Sequence, residues 1–295
     1  MKLITEKSKD YELLDSGGLE KLERFGKFIL RRPELQALWP KLLEEPEWQK
    51  ADATYIRTGQ TGKWVTKENF REMWQIELEG LTFNLKLLPS KHLGVFPEQS
   101  AHWKWLKDKI KTRHELRMGT NDTNREVRVL NLFGYTGGAS LALASMGAKV
   151  VHIDASKFVI LAAHKNYLDS GLKDKQVRFI VDDARKFVEK EIKRGNKYDI
   201  ILLDPPVYGK SENKLWHIEK DLVPLLSRLK NLVSENFIAT ILNGYSSGYS
   251  ATTYAQVLYT IVSNLGGQLE SGQLVIKESS GRLLPAGIFA RWSKI

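Results

Sequence analysis

From Val127 onward, short apolar runs alternate with stretches of helical pattern. VRVLNLF, KVVHIDAS, VRFIVDDA, YDIILLDPP and FIATILN are rich in Val, Ile and Leu, as buried strands are. ASLALASMG, an Ala- and Leu-containing stretch ending near Asp169, and residues 184–194, 214–233 and 251–265 read as helices between them. Strands alternating with helices predict an α/β class. The expected form is a Rossmann-like, mostly parallel sheet with helices on both faces. QLVIKES and GIFARW near the end supply an antiparallel pair.

The first 117 residues have another texture. LLDSGGLEKLERFGKFILRRPE predicts a turn at Gly17-Gly18 followed by short strands, and Pro33, Pro40 and Pro46 break any long helix after them. EMWQIELEGLTFNLKLL (72–88) alternates and pivots at Glu79-Gly80, a hairpin. Trp103, Leu106 and Ile110, three and four apart, predict a helix over about 98–116. The polar MGTNDTNRE (118–126) reads as a linker. The expected division is a smaller N-terminal β-rich (α+β) module, 1–117, and a main domain, 118–295. There is no internal repeat.

Composition narrows the function. No apolar run approaches the roughly 20 residues of a membrane helix, and the charged MKLITEKSKD lacks the apolar stretch of a signal peptide. A cytoplasmic location is the expectation. The chain has no cysteine, which excludes disulfides, thiolate metal sites and a cysteine nucleophile. The six histidines show no metal spacing with neighbouring acids, so no metal is predicted. Lys and Arg number 45 against 35 Asp and Glu, a net charge of +10. With eight Trp and ten Tyr to stack on bases, that balance points to RNA as partner. General surface solubility is the alternative.

In an open parallel sheet, ligands bind beyond the carboxyl ends of the strands. NLFGYTGG (131–138) brings Gly134 and Gly137 to the first such end, where a following helix aims free N–H groups. Asp154 ends the next strand, where a carboxylate accepts both hydroxyls of a ribose. Asp182-Asp183 ends the third, where one carboxylate can take an adenine amino group. Each aspartate also suits a helix cap. There is neither a GxGxxG nor a lysine-bearing phosphate loop. An adenosine compound without a diphosphate fits the three ends together, which means S-adenosylmethionine. A nicotinamide dehydrogenase is disfavoured on the same ground.

The fourth run ends in Asp204-Pro205-Pro206-Val207-Tyr208. The two prolines force an extended turn and remove two N–H donors. Asp204 and the Pro205 carbonyl can then accept from an amino group or ring nitrogen, and Tyr208 can stack on a planar base. Methyl transfer to nitrogen needs that arrangement.

These segments resemble a known family. YELLDSGGLEKLERFG, RRPELQALWP, KHLGVFPEQSAHWKW, LNLFGYTGGASL, VVHIDAS, DDARKF, LLDPPVYGK, NKLWHIEKDL and GRLLPAGIFARW follow in the order of bacterial class I methyltransferases of the 23S rRNA large-subunit type. The resemblance implies the class I methyltransferase fold. It also implies that the backbone at Phe133, Gly134, Tyr135 and Gly137 holds the methionine part, and Asp154 the ribose. Ser156 or Phe158 would lie beside the adenine, Asp183 would take its amino group, and Asp204, Pro205 and Tyr208 would face the acceptor. Gln99, with Lys91 and Phe96, would close the site from the N-terminal side. Cytosine carbon-5 enzymes of this family use a cysteine on the strand after the Asp-Pro-Pro turn. Here that region reads TILNGYSSGYS (240–250). Carbon 5 is a poor nucleophile without covalent addition, so a base nitrogen is the expected acceptor. Asn243 and Ser246 are candidates to line its pocket. Lys21, Arg24, Arg31, Arg32, Arg282 and Arg291 are candidate phosphate contacts. The alternatives are a small-molecule or protein substrate, and an RNA-binding protein without turnover.

Overall fold

The computed structural model describes residues 1–59, 61–117, 126–211, 214–245 and 248–294. The predicted linker, but for Glu126, and Ser246 lie outside the described residues. The chain divides into two compact units: residues 3–100 with 274–286, and residues 1–2 with 101–273 and 287–295.

In the first unit, strands β2 (Tyr11–Gly17), β3 (Glu20–Phe25), β4 (Phe28–Pro33), β5 (Ala53–Thr58) and β6 (Thr61–Thr66) form one sheet in chain order. The preceding strand β1 (Lys2–Thr5) joins the larger sheet described below. A short helix α1 (Glu45–Trp48) precedes β5. β7 (Met73–Leu78) and β8 (Leu81–Lys86) form the expected hairpin about Glu79 and Gly80, both in left-handed conformation.

Glu23, fully buried on β3, accepts from the Tyr11 hydroxyl at 3.0 Å and is ion-paired with Arg32 of β4. Burial would raise the Glu23 carboxyl, but Arg32 and then Lys21 override it and hold it below the ordinary glutamate value. A carboxyl depressed on folding stabilises fully above its unfolded value, and that contribution is lost as pH falls through the folded one. Arg32→Ala takes the nearest cation from the buried Glu23 and leaves it the Tyr11 hydroxyl and Lys21 at 3.6 Å. Urea denaturation should show it destabilised by about 3–5 kcal/mol at neutral pH, with a smaller deficit in acid. A deficit under 1 kcal/mol would contradict this account.

The second unit contains the strand–helix alternation. β9 (Arg128–Leu132), β10 (Lys149–Asp154), β11 (Val177–Val181), β12 (Ile200–Leu203) and β15 (Ala239–Gly244) are parallel, in the order β15-β12-β9-β10-β11. β17 (Leu283–Ser293) adds antiparallel to β15, with β16 (Gln268–Lys277) and β1 beyond it. Helices α2 (Ser100–Arg117), α3 (Gly138–Ser145), α4 (Lys157–Asp169), α5 (Ala184–Lys193), α6 (Ile218–Leu229) and α7 (Ala251–Val262) complete it.

Alternate residues of one strand serve opposite cores, as the two-residue period requires. Ile200 and Leu202 of β12 pack with Leu106 and Ile110 of α2 and Leu143 of α3. Ile201 and Leu203 pack with Phe187 of α5, Leu225 of α6 and Leu258 of α7.

The unit boundary departs from the expected break after residue 117. α2 groups with the main unit because its apolar face is spent on that sheet. Residues 274–286 return to the N-terminal unit, where Arg282 meets the buried Asp15 at 2.6 Å and Glu278 accepts from Ser16 at 2.7 Å. Two local expectations are also corrected. Residues 214–217 are not helical: they form β14 (Lys214–His217), paired antiparallel with β13 (Tyr208–Ser211), and α6 starts at Ile218. VRFIV is not a buried strand, since β11 is the sheet edge and Val181 is exposed.

Gly138 opens α3 where a Cβ would overlap the indole of Trp103 on α2. Gly138→Ala should cost about 1–3 kcal/mol from overpacking, read by urea denaturation. Trp103→Leu in the same chain should recover part of that loss.

Candidate active site

The strand registers set four residues side by side. Ile153 pairs with Leu132, Leu132 with Leu203, and Leu203 with Leu242. One step on, Asp154, Phe133, Asp204 and Asn243 therefore form a row along the carboxyl edge, with strands about 4.8 Å apart. β9 is the first strand of the alternation, and β10 and β12 flank it on opposite sides. That is the topological switch point, where open α/β sheets bind ligands.

The loop from β9 to α3 is held in an unusual backbone. Phe133 and Tyr135 are left-handed at φ 57° and 51°, and Gly137 at 96°. Left-handed non-glycine residues need surrounding structure to hold them. The Gly134 N–H donates to Ile153 O at 2.9 Å, and the Tyr135 N–H to the Asp154 carboxylate at 3.1 Å. Beneath the loop lies His152, fully buried, with Nε2 3.1 Å from Tyr135 O and Nδ1 2.8 Å from Ser140 Oγ. Asn131 donates to the same Ser140 oxygen at 2.9 Å. A carbonyl can only accept, so Nε2 carries the proton and Nδ1 accepts from Ser140. Burial pushes the imidazole down to about 4, so it stays neutral. A Cβ on Gly134 would overlap that ring. The glycine is there for the histidine beneath it, a role the spacing in the sequence did not reveal.

Asp154 receives backbone donors on both oxygens, Tyr135 N on one and Ser156 N at 2.9 Å on the other, and the Ala155 N–H also bears on it. A carboxylate offers about four lone-pair positions, so it is not saturated. Burial raises the Asp154 carboxyl, against the backbone N–H groups that lower it. Ser156 caps α4, accepting from Val159 N, and Phe158 stands in the first turn, 59% exposed. Asp183 caps α5 through Arg185 N at 2.9 Å and is ion-paired with the Arg185 side chain at 2.7 Å. Asp182 pairs with Lys190 at 2.6 Å. Of the two adjacent aspartates, Asp183 is thus the cap.

Past β12, Asp204 is half-buried, Pro205 buried, and Pro206, Val207 and Tyr208 exposed, Tyr208 by 56%. The β13–β14 hairpin carries this ledge. Trp216 donates to Pro206 O at 2.7 Å, the Ile218 N–H to Val207 O at 3.0 Å, and His217 meets the Tyr208 ring edge-on at 5.0 Å. Trp216 also packs on Phe133 at 4.9 Å, tying the ledge to the glycine loop. Asn243 ends the row and faces the buried His102 of α2, whose imidazole burial holds down near 3.

Gln99, Lys91 and Phe96 belong to the N-terminal unit. There Gln99 is buried in a single 3₁₀ turn, and Lys91 donates to Pro33 O at 3.1 Å. The expected phosphate contacts are internally paired: Lys21 with Glu34, Arg24 with Glu12, Arg31 with Glu20 and Glu45, and Arg32 with Glu23. Arg282 pairs with Asp15, and Arg291 with Glu270. Among the described residues, no group of three or more His, Asp or Glu is placed to hold a metal, and no helix is long and apolar enough to cross a membrane.

A family model for S-adenosylmethionine-dependent methyltransferases matches residues 51–248, more than half of the chain. The chain belongs to that family. It is an S-adenosylmethionine-dependent methyltransferase of the class I fold. A crystal structure of an S-adenosylmethionine-dependent methyltransferase from Agrobacterium tumefaciens is 37% identical, with a TM-score of 0.92, covering 100% of this chain and 94% of that one. A Streptococcus mutans methyltransferase structure shares the fold at 17% identity and a TM-score of 0.70, covering 97% and 76%. Ribosomal RNA large subunit methyltransferase K/L of Shewanella baltica is 38% identical over 110 residues, and that of Shewanella loihica 32% over 190. These alignments cover 36% and 63% of this methyltransferase but only 15% and 22% of those relatives, so it matches a small part of their length.

Proposed function

We propose that this methyltransferase places a methyl group on a base nitrogen of RNA, with ribosomal RNA as the substrate. One observation carries the reading: a half-buried carboxylate, Asp204, at the carboxyl edge of the sheet, with an exposed aromatic ring, Tyr208, four residues on across a Pro-Pro turn. The names of the relatives in Shewanella support ribosomal RNA. With no cysteine in the chain, covalent addition to a pyrimidine by a thiolate is excluded.

The residues present suit the cofactor. The 131–141 loop holds no Lys or Arg for a phosphate, and Asp154 keeps lone pairs for a diol. In this reading the loop backbone at Phe133, Gly134, Tyr135 and Gly137 holds the methionine part and Asp154 the ribose. Phe158 and Ser156 flank the adenine, whose amino group goes to Asp183. S-adenosylmethionine supplies an electrophilic sulfonium methyl when bound. Tyr208 stacks on the acceptor base and fixes its plane. Asp204 and the Pro205 carbonyl accept from the acceptor nitrogen, orienting its lone pair. Asp204 then takes the proton that the nitrogen loses, directly or through water.

A small-molecule acceptor is the second reading, favoured by the internal pairing of all six candidate phosphate contacts. Tritium-methyl transfer to extracts of cells lacking this chain separates the two. Label is expected in large ribosomal RNA and, after digestion, in an N-methylated nucleoside. Label confined to protein or to the low-molecular-weight pool overturns the proposal. Transfer to RNA should also weaken steeply between 50 and 200 mM salt, as counterion release predicts.

A further inference from the structure

The acceptor side holds a buried phenol with no part in the proposed transfer. Tyr254, in the first turn of α7, is 2% exposed, yet its hydroxyl has no hydrogen-bond partner among the described residues. Native proteins seldom leave such a group unmet. Its position is specific. A Cβ on Gly244 would overlap the Tyr254 hydroxyl, so the phenol tip lies directly against the Gly244 backbone. Gly244 follows Asn243, and Asn243 is the neighbour of Asp204 in the carboxyl-edge row. The hydroxyl therefore reaches the end of β15 at the level of the reacting carboxylate. A side chain at 244 would bar it from that place.

The phenol is also kept protonated. Burial, then the negative charge of Asp204, then Tyr249 push it up to about 12. It is a donor throughout the working range. Among the described residues the groups around it include Asp204 just past β12, Tyr249 ahead of α7 and bonded to Glu219 of α6, and His102 of α2 behind Asn243.

We infer that Tyr254 is a positioning residue for Asp204: its hydroxyl donates to one carboxylate oxygen when the side chain turns toward α7, leaving the other oxygen for the acceptor nitrogen. The inference rests on the proposed role of Asp204. A donor on the carboxylate favours its charged form and fixes its direction. No atom of Tyr254 need touch cofactor or substrate.

Tyr254→Phe tests this directly, because it removes a single atom that makes no hydrogen bond among the described residues. Melting temperature and S-adenosylhomocysteine affinity should stay as in the parent. With total RNA from cells lacking this chain, kcat should fall about tenfold or more at unchanged KM, and its acidic limb should move to higher pH. The carbon-13 titration of the Asp204 carboxyl, in the presence of S-adenosylhomocysteine, should shift upward, a readout that needs no substrate. Gly244→Ala, which displaces the phenol, should reproduce the kcat loss. An unchanged Asp204 titration and kcat within twofold in Tyr254→Phe would overturn the inference while leaving the role of Asp204 intact. An active Asp204→Asn would instead overturn that role, and the inference with it.

Discussion

Asp204→Asn should lower turnover by about 10²–10⁴-fold, the range of positioned proton transfer, while S-adenosylmethionine binds within twofold of the parent. The separation follows from placement. In the proposed arrangement the cofactor edge is the β9–α3 loop and Asp154, which are hydrogen-bonded to Ile153, Asp154, His152 and Ser156. None of those bonds involves Asp204. The substitution is nearly isosteric, and Leu203 before it stays paired on both sides, so the ledge keeps its shape. An amide accepts through its oxygen but cannot take a proton near neutral pH. It can orient the acceptor and not complete the transfer. Calorimetric titration with S-adenosylmethionine and single-turnover methyl transfer measure the two quantities separately. A parallel loss of affinity and rate would show that Asp204 serves the cofactor, and the division of roles along the edge would be wrong.

The parallel sheet was legible because its strands are apolar on both faces and bounded by glycine or aspartate. The IILL of YDIILLDPP carries that pattern without interruption, and VRVLNLF carries it but for Arg128 and Asn131. The ends of those strands were legible for the same reason, since a polar residue closing a buried run must lie at the edge. What escaped was of two kinds. Residues 53–58 and 61–66 form the β5 and β6 strands, but ATYIRT and TGKWVT alternate weakly, with exposed positions on both faces, and left no clear period. The second kind is non-local. Arg282 reads as a surface cation until it meets Asp15, 267 residues away. His152 occupies a strand position where the pattern expects an aliphatic side chain. Only the fold shows that Ser140 and the Tyr135 carbonyl satisfy both its nitrogens. Tyr254 escaped likewise, since a tyrosine three residues into an amphipathic helix is ordinary until its buried hydroxyl is found without a partner among the described residues.

Gly134→Ala should weaken S-adenosylmethionine binding by about 100-fold, near 2.7 kcal/mol. The added methyl would overlap the His152 ring. That ring cannot yield, because it is fully buried and bonded on both sides, to Ser140 at 2.8 Å and to Tyr135 O at 3.1 Å. The loop must therefore move. Its displacement carries Tyr135 away from Asp154 and strains a backbone already left-handed at two non-glycine residues. Overpacking of this kind typically costs about 1–3 kcal/mol, and here the loop that yields is the one assigned to the methionine part. The clash has a signature of its own. His152→Ala alone should also weaken binding, by removing the support beneath Tyr135. Combined with Gly134→Ala, it removes the obstacle, so the double variant should bind more tightly than Gly134→Ala does. Contacting residues show such coupling, of about 0.5–3 kcal/mol. Titration of the three variants with S-adenosylhomocysteine measures it. If the two losses simply add, the glycine is needed for some reason other than the ring below it.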